Sequence, residues 1–237
     1  ATILVKQKTG ERAVFFERAT ATEPEFLEAH KQLIESAYIL HINGRHRQLM
    51  CSAMAVAKEV GTIISLDGGA QRYDEDMKPI TEASHIVIVA RDYAEKYTGT
   101  INLEDACRII HERGAFIAGV TDGANGSYFV WPDGTSYRCE PFSQATVVDT
   151  TGAGDSFHGA FLYMLTKTLC KIADGTNTST MNETSQSLNA IDLLHSCAHE
   201  DLEKAATFAS AVAALNTQGI GGRSPLPSLE DIKALIG

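Results

Sequence analysis

Residues 147–161 read VVDTTGAGDSFHGAF, and this stretch decides how the chain folds. The short β-branched run at residues 145–148 predicts a buried strand. The apolar residues that follow recur at the spacing of one helix face: Phe157, Ala160, Phe161, Met164, Leu165, Thr168 and Leu169. The stretch therefore predicts a strand, a glycine turn and a helix in direct succession.

The glycine turn, residues 149–155, has the composition of an anion site. Gly152 and Gly154 permit backbone angles and close approaches that a Cβ would block. The N–H groups and the dipole at the start of the next helix favour an anion such as phosphate. A single Asp155 would be typical of any helix start, where the dipole favours an acid. The composite pattern D-T-T-G-A-G-D-x-F-x-x-G is longer than a helix start needs, which indicates a carboxylate placed where an anion binds.

Length, charge and cysteine content narrow the class of protein. With 237 residues, 44% of them hydrophobic, the chain can form one α/β domain with a large core. A formal net charge of −10 and the lack of a basic stripe disfavour nucleic-acid binding. The apolar runs are strand-sized, no signal-peptide pattern is seen, and the five scattered cysteines suit a reducing compartment. We therefore expect a cytoplasmic protein that neither spans a membrane nor binds nucleic acid.

Strand-like and helix-like segments alternate along the chain, which is typical of a mostly parallel sheet with helices on both faces. Strands are expected at residues 3–5 and 13–16 (a hairpin), 38–42, 62–66, 85–89, 116–120, 127–131 and 136–139. Helices are expected at residues 49–57, 103–113 and 202–216, and after a capping box at Ser228 and Asp231. Asp67, Thr121 and Asp149 follow predicted strands, so they are expected to line one ligand-binding rim.

Other patterns are absent or carry less information. The chain contains neither G-x-x-x-x-G-K-[ST] nor a G-x-G-x-x-G after a strand, which excludes a P-loop and disfavours a dinucleotide site. His41 and His46 flank a turn after a predicted strand, in either a ligand-contacting rim or an ordinary loop. The polar stretch 174–189 is expected to be a surface insertion.

The segment DTTGAGDSFHGAF resembles the C-terminal signature of the ribokinase-like (PfkB) family of ATP-dependent sugar and nucleoside kinases. Residues 120–129, VTDGANGSYF, resemble that family's nucleotide loop, and residues 205–219 resemble the helix that covers the adenine. YILHINGRH and HIVIVARDYAEKYTG are most similar to ketohexokinase and related sugar kinases. The resemblance implies one ribokinase-like domain over residues 1–237, with residues 1–20 forming part of a lid.

The resemblance also implies a role for each matching residue. Asp155 would be the catalytic base, beside a backbone anion hole at Gly152, Ala153 and Gly154. The residues implied for ATP binding are Thr121, Gly123, Gly126 and Ser210. The residues implied for a monovalent cation, K⁺, are Asp149, Thr151 through its backbone carbonyl, and Ser224. Mg²⁺ would accompany ATP.

The chain departs from the family pattern in two places. An N-x-x-E motif that orders magnesium-bound water is replaced by residues 90–93, Ala-Arg-Asp-Tyr, where Arg91, Asp92 or Glu95 are candidate substitutes. The chain also starts in what corresponds to the middle of the lid, so we expect the N-terminal part of the usual domain, with much of the sugar pocket, to be missing.

The expected function is an ATP-dependent phosphotransferase with an alcohol group as acceptor, acting on a small carbohydrate. A homodimer through the lid is a further expectation. Two alternatives stay open: a catalytically silent nucleotide- or sugar-binding protein of the same fold, and a nucleoside kinase.

Overall fold

The computed structural model describes residues 2–6, 12–15, 20–142, 147–178 and 189–237. Its strands are Thr2–Val5 (β1), Arg12–Phe15 (β2), Ile39–Ile42 (β3), Ile63–Gly68 (β4), Ile86–Ala90 (β5), Ile117–Thr121 (β6), Ser127–Val130 (β7) and Ser136–Cys139 (β8). Its α-helices are Glu28–Glu35 (α1), Arg47–Val60 (α2), Lys78–Glu82 (α3), Arg91–Thr98 (α4), Leu103–Glu112 (α5), Ala153–Thr178 (α6), Ala190–His195 (α7), His199–Asn216 (α8) and Leu229–Ile236 (α9).

Within these ranges, six strands form one sheet in the order β3-β4-β5-β6-β7-β8. Neighbouring strands from β3 to β6 are parallel, whereas β7 and β8 are added antiparallel. Strand β3 therefore forms one edge of the sheet. Strands β1 and β2 pair antiparallel as a separate hairpin. The prediction of a mostly parallel sheet is confirmed.

Alternate side chains of the central strands enter two separate cores. On β5, Val87 and Val89 pack with residues of α1, α2, α4 and α5. Ile86 and Ile88 point the other way and pack with α6, α7, α8 and α9. All four side chains are fully buried. A parallel strand covered on both faces needs an unbroken apolar run, which explains the sequence IVIVA and confirms helices on both faces.

Several helix ends follow their sequence signals. The Asn102 side chain accepts hydrogen bonds from the backbone N–H groups of Glu104 and Asp105 at 3.0 and 3.2 Å, which starts α5. The predicted capping box before α9 is confirmed, because Ser228 and Asp231 exchange hydrogen bonds at 2.9 and 3.2 Å. Among the helices of the described ranges, we find none with the length and apolar character to cross a membrane.

Two boundaries differ from the predictions. In the described half of the strand predicted at residues 145–148, Val147 and Val148 are not in a strand, because the Val148 N–H donates to the Thr217 carbonyl at 2.8 Å. The other half, residues 145–146, lies outside the described residues. Within the stretch 174–189, α6 continues to Thr178 and Asn189 caps α7, while residues 179–188 lie outside the described residues. That the stretch is a surface insertion stays a prediction. Weak helix formers do not end a helix whose apolar face is already packed.

Candidate active site

The turn before α6 is tied to the loop after α8 through Asp149. This carboxylate is 3% exposed. Its Oδ1 accepts a hydrogen bond from the Thr151 N–H at 2.8 Å, and its Oδ2 accepts one from the Gly221 N–H at 2.9 Å. The Thr217 carbonyl accepts the N–H groups of Val148 and Asp149 at 2.8 and 3.1 Å. Four hydrogen bonds thus fix the position of the turn. The sequence had predicted a strand leading into the turn instead.

These two loops approach each other closely at Gly152. Its φ is +79°, and a Cβ built on it would lie 2.4 Å from Gly222 Cα and 2.8 Å from the Gly222 carbonyl oxygen. Both the left-handed backbone and the contact with another backbone exclude a side chain here. Gly154 differs, because a Cβ there would meet nothing within 4 Å. Only the first glycine is therefore required by the fold.

The start of α6 offers backbone N–H groups that the described residues do not use. The Ala153 N–H donates to the Thr150 carbonyl at 3.3 Å, whereas those of Gly152, Gly154 and Asp155 have no acceptor in the described ranges. The N–H groups available to a ligand are therefore those of Gly152, Gly154 and Asp155. The resemblance had implied Ala153 in the third place, but its N–H is already engaged. Three open N–H groups at the positive end of a long helix dipole are an arrangement that favours an anion.

A cavity of about 490 Å³ opens beside these N–H groups. The structure brings the four residues expected at ATP to its wall: Thr121, Gly123, Gly126 and Ser210. Ala153 and Gly154 line the same cavity, so it reaches the helix start. Its remaining walls are largely apolar and include Pro141, Phe142, Val147, Ala213 and Ala214. A flat apolar group at one end and an anion at the other fit this arrangement.

A buried hydroxyl group of the turn, Thr151 Oγ1, has no protein partner in the described ranges. Buried polar atoms are rarely left without a hydrogen bond, so such atoms indicate a place where a ligand, ion or water binds. The donor set therefore fits a phosphorylated nucleotide.

The side chain of Asp155 lines a different cleft from the one that Gly154 lines. It borders a second groove of about 390 Å³ whose walls include Gly159, Tyr163, Phe208 and Leu226. The side chain is exposed, so its carboxylate is accessible from outside the protein. Adjacent residues of one turn, Gly154 and Asp155, thus face two different clefts. A group bound at the open N–H groups and a group bound at Asp155 would meet at the start of α6.

The segment that replaces N-x-x-E is engaged within the protein. Arg91 Nε donates to Asp122 Oδ1 at 2.7 Å, which joins α4 to the loop that carries Gly123. Asp92 Oδ2 accepts the Gln71 N–H at 2.6 Å. Tyr93 is fully buried, its hydroxyl is 2.7 Å from Thr81 Oγ1, and burial raises the pKa of Tyr93 to about 12. Mg²⁺ usually keeps several waters and binds one or two carboxylates plus substrate phosphates, so a complete protein cage is not required.

A buried polar cluster, which sequence reasoning missed, lies between α6 and the sheet. His158 Nε2 is 3.2 Å from Asp67 Oδ1, and their side chains are 5% and 8% exposed. Arg72 Nη1 lies 3.3 Å from Asp67 Oδ2. Burial opposes ionisation of Asp67, but the hydrogen bond and charge of His158 and the charge of Arg72 outweigh it, so the pKa of Asp67 lies below its ordinary value. The sequence analysis had placed Asp67 on a ligand-binding rim, but no local pattern indicated that its carboxylate pairs with His158.

The other predicted cation ligand lies in the loop that Asp149 holds. Ser224 is exposed and follows Gly221 by three residues. The structure therefore brings Asp149 and Thr151 together, with Ser224 on the connected loop. Thr121 lines the nucleotide-sized cavity, whereas Asp67 belongs to the buried cluster.

A mostly parallel sheet covered on both faces, with a glycine turn that opens a long helix beside a cleft, defines a ribokinase-like α/β protein. Comparison with known proteins agrees with this class. Residues 1–229 match the pfkB family carbohydrate kinase domain, and the chain belongs to that family.

Individual relatives show the extent of the likeness. The 5-dehydro-2-deoxygluconokinase of Shouchella clausii is 24% identical over 220 residues, which cover 86% of this chain and 57% of that relative. The ribokinase structure from Giardia lamblia has a TM-score of 0.66 at 17% identity. The match covers 86% of this chain and 61% of the ribokinase chain. A fructokinase double mutant from Vibrio cholerae O395, in a form bound to fructose, ADP and potassium ion, has a TM-score of 0.63 at 21% identity, with coverages of 85% and 61%. The chain thus spans about three fifths of the length of these proteins.

Proposed function

We propose that this chain carries the nucleotide-binding and catalytic part of an ATP-dependent phosphotransferase that acts on an alcohol group of a small carbohydrate. One observation carries the proposal: the exposed carboxylate of Asp155 directly follows open N–H groups at the start of α6. An anion site and a base in one turn suit a reaction in which a phosphoryl group and a hydroxyl meet. Membership of the pfkB family of carbohydrate kinases supports it.

ATP would occupy the 490 Å³ cavity. Its base would lie against the apolar wall near Ser210, and its phosphates would extend along Thr121, Gly123 and Gly126 to the helix start. The N–H groups of Gly152 and Gly154 would bind the terminal phosphate. Mg²⁺, bound with ATP, would supply charge neutralisation between the phosphates.

Asp155 would act as the general base. A hydroxyl oxygen of the acceptor attacks the γ-phosphorus, the bond from that phosphorus to the β–γ bridging oxygen breaks, and ADP leaves. The hydroxyl proton passes to the Asp155 carboxylate. The N–H groups at the helix start stabilise the charge on the transferred group, because they are already oriented before the reaction.

We further propose that Asp149, Thr151 and Ser224 border a site for K⁺. The loops that carry them are joined by hydrogen bonds at Asp149, and the Thr151 hydroxyl is buried without a partner in the described ranges. The potassium-bound fructokinase of the same fold supports this choice of ion. A cation here would complement the anion site one turn away.

The exposed hairpin supports a proposed homodimer through the lid. Ile3, Leu4 and Phe15 are 43%, 58% and 60% exposed. An isolated two-stranded hairpin is marginally stable in water, and a second copy would cover its apolar residues. We also propose that the protein acts in the cytoplasm, where its five free thiols would stay reduced.

A catalytically silent binding protein is the second candidate. It is favoured by the segment that replaces N-x-x-E, because Asp92 is held by Gln71 and Tyr93 is buried. This candidate predicts nucleotide binding without turnover.

An ADP-release assay over a panel of sugars and nucleosides separates these candidates. The kinase proposal predicts sugar-stimulated ADP release that depends on Asp155. A nucleoside kinase would respond to nucleosides instead. Nucleotide binding by calorimetry, with no acceptor stimulating ADP release, would overturn the proposal in favour of a binding protein.

A further inference from the structure

The loop between β6 and β7, residues 122–126, forms part of the cavity wall. Gly123 and Gly126 line the cavity of about 490 Å³. Backbone hydrogen bonds close the loop: the Asp122 N–H donates to the Gly126 carbonyl at 2.9 Å, and the Asn125 N–H donates to the Asp122 carbonyl at 3.0 Å. The conformation of this loop therefore shapes the space in which the proposed nucleotide lies.

The side chain of Arg91, the first residue of α4, holds the loop from the outside. Its Nε donates to Asp122 Oδ1 at 2.7 Å, and its Nη2 donates to Asp122 Oδ2. Asn125 Nδ2 donates to the same Oδ2 at 3.0 Å, so the carboxylate is fixed from two directions. A planar guanidinium that contacts both oxygens of a carboxylate fixes its orientation as well as its charge. Since Ala90 pairs with Thr121, this ion pair joins the ends of two adjacent strands, β5 and β6.

The ion pair also neutralises a carboxylate next to the proposed phosphate path. The side chain of Asp122 is only 13% exposed, whereas that of Arg91 is 45% exposed. Thr121 and Gly123, which flank Asp122 in the chain, both line the cavity. Without its cation, the Asp122 carboxylate would repel the phosphates of a bound nucleotide, and water would screen this repulsion only in part. Arg91 therefore affects both the shape of the loop and the charge beside the phosphates.

We propose that Arg91 is a positioning residue for the nucleotide, because it holds residues 122–126 in shape and cancels the charge of Asp122 beside the phosphates. The inference rests on the proposed kinase function, and in particular on the proposed nucleotide site. It gives a role to residues 90–93, where the chain departs from N-x-x-E. Arg91 acts through Asp122 and need not touch the nucleotide itself.

Substitutions on the two sides of this ion pair should affect ADP affinity differently. Arg91→Gln keeps a hydrogen-bond donor but leaves the Asp122 carboxylate without its cation. Calorimetry with ADP and Mg²⁺ should therefore give a Kd for ADP that is roughly 3- to 10-fold higher. Asp122→Asn removes the repelling charge and keeps an oxygen that accepts from Arg91, so the Kd should hold or fall. The double variant has neither charge and should bind ADP more tightly than Arg91→Gln alone.

Arg108→Gln is the matched control for the loss of one positive charge. Arg108 lies on α5, its side chain is 47% exposed, and its Nη2 lies 2.9 Å from Glu104 Oε1. In the described ranges it has no hydrogen bond to residues 122–126, so the Kd for ADP should stay unchanged. Melting temperatures without nucleotide show whether each variant folds. If Arg91→Gln does not fold, Asp122→Asn still tests the inference, because a large rise in its Kd would contradict the charge effect.

Kinetics add a second readout that a general loss of stability does not produce. In the ADP-release assay, Arg91→Gln should raise the KM for ATP and leave kcat and the KM for the acceptor unchanged. Equal ADP affinity in Arg91→Gln and Arg108→Gln would overturn the inference, and so would an Asp122→Asn variant that loses as much affinity as Arg91→Gln. If the unsubstituted chain does not bind ADP, this inference and the proposed function fail together. If the Kd values follow the expected order but no acceptor stimulates ADP release, only the proposed function fails.

Discussion

The carboxylate of Asp149 bonds two loops at once, with the Thr151 N–H on one oxygen at 2.8 Å and the Gly221 N–H on the other at 2.9 Å. Thr151 is two residues away in the chain, and Gly221 is 72 residues away. This one buried side chain sets the position of the start of α6 relative to the loop after α8. The proposed anion site therefore depends on a residue that need not touch the anion.

Asp149→Asn should loosen this connection. The amide keeps one acceptor oxygen but turns its other end into a donor, which faces a backbone N–H. Leaving a buried donor unsatisfied typically costs about 1–3 kcal/mol, so the free energy of unfolding should fall by that order. Urea denaturation of both proteins measures the difference. An unchanged unfolding midpoint would show that the two hydrogen bonds contribute nothing to the fold.

Potassium should increase activity if Asp149, Thr151 and Ser224 border a monovalent-cation site. The larger K⁺ needs a site that two joined loops can form from oxygen atoms, and its charge would favour phosphate at the adjacent turn. ADP release should therefore be faster in KCl than in NaCl at the same ionic strength. Equal rates in the two salts would remove the assignment of these three residues.

The two glycines of the turn should respond differently to alanine. Gly152→Ala adds a Cβ 2.4 Å from Gly222 Cα at a φ of +79°, so the two backbones must separate. The left-handed conformation alone costs a non-glycine residue roughly 1–2 kcal/mol. Gly154→Ala is the matched control, since its Cβ meets nothing within 4 Å. The melting temperature should drop for the first variant and hold for the second; equal drops would contradict the close approach.

As the pH falls, the preference of His85 for its neutral form should begin to destabilise the protein near pH 6.5, above the range in which carboxylates ordinarily take up protons. The Ile64 N–H donates to His85 Nδ1 at 3.0 Å, which requires that nitrogen to be unprotonated. Burial and the charges of Lys58 and His195 lower the pKa of His85 below its ordinary value of 6.5. Near and below pH 6.5 the unfolded chain therefore binds more protons than the folded one, and stability falls until the pH passes the folded pKa. The pKa of His41 is lowered too, so it adds to the same slope.

Urea denaturation between pH 8 and pH 5 measures this slope. His85→Gln keeps an acceptor for the Ile64 N–H but does not titrate, so the fall in stability between pH 7 and 5 should become shallower. His41→Gln should remove the other contribution. A slope unchanged in both variants would show that neither histidine is the source.

The sequence predicted the parts of the molecule that depend on near neighbours. The apolar run of β5 and the capping box at Ser228 were readable because their signals are local. The pairing of Asp67 with His158 could not be predicted, because the two residues are 91 positions apart and neither segment carries a pattern that indicates the contact. The strand predicted through Val148 failed for a similar reason, since its N–H donates to Thr217 on the far loop. Long-range hydrogen bonds therefore determine the backbone conformation before α6, which local sequence propensity does not fix.

Asp155→Asn is the most direct test of the proposed chemistry. The amide keeps the size of the side chain and its ability to accept a hydrogen bond at a helix start, so the melting temperature should change little. It does not take up the hydroxyl proton. General-base catalysis typically contributes about 10²–10⁴-fold in rate, so acceptor-stimulated ADP release should fall by that factor. Nucleotide affinity should hold or improve, because one negative charge leaves the vicinity of the γ-phosphate.

Asp174→Asn provides the control, because it removes an exposed carboxylate from the same helix far from the turn. Turnover, nucleotide affinity and melting temperature are measured on both variants. If Asp155 were only an acid favoured by the helix dipole, the two variants would behave alike and turnover would survive in each. Loss of turnover in Asp155→Asn alone, with nucleotide binding and melting temperature preserved, separates a base from a helix-stabilising charge. Retained turnover in that variant would exclude Asp155 as the base.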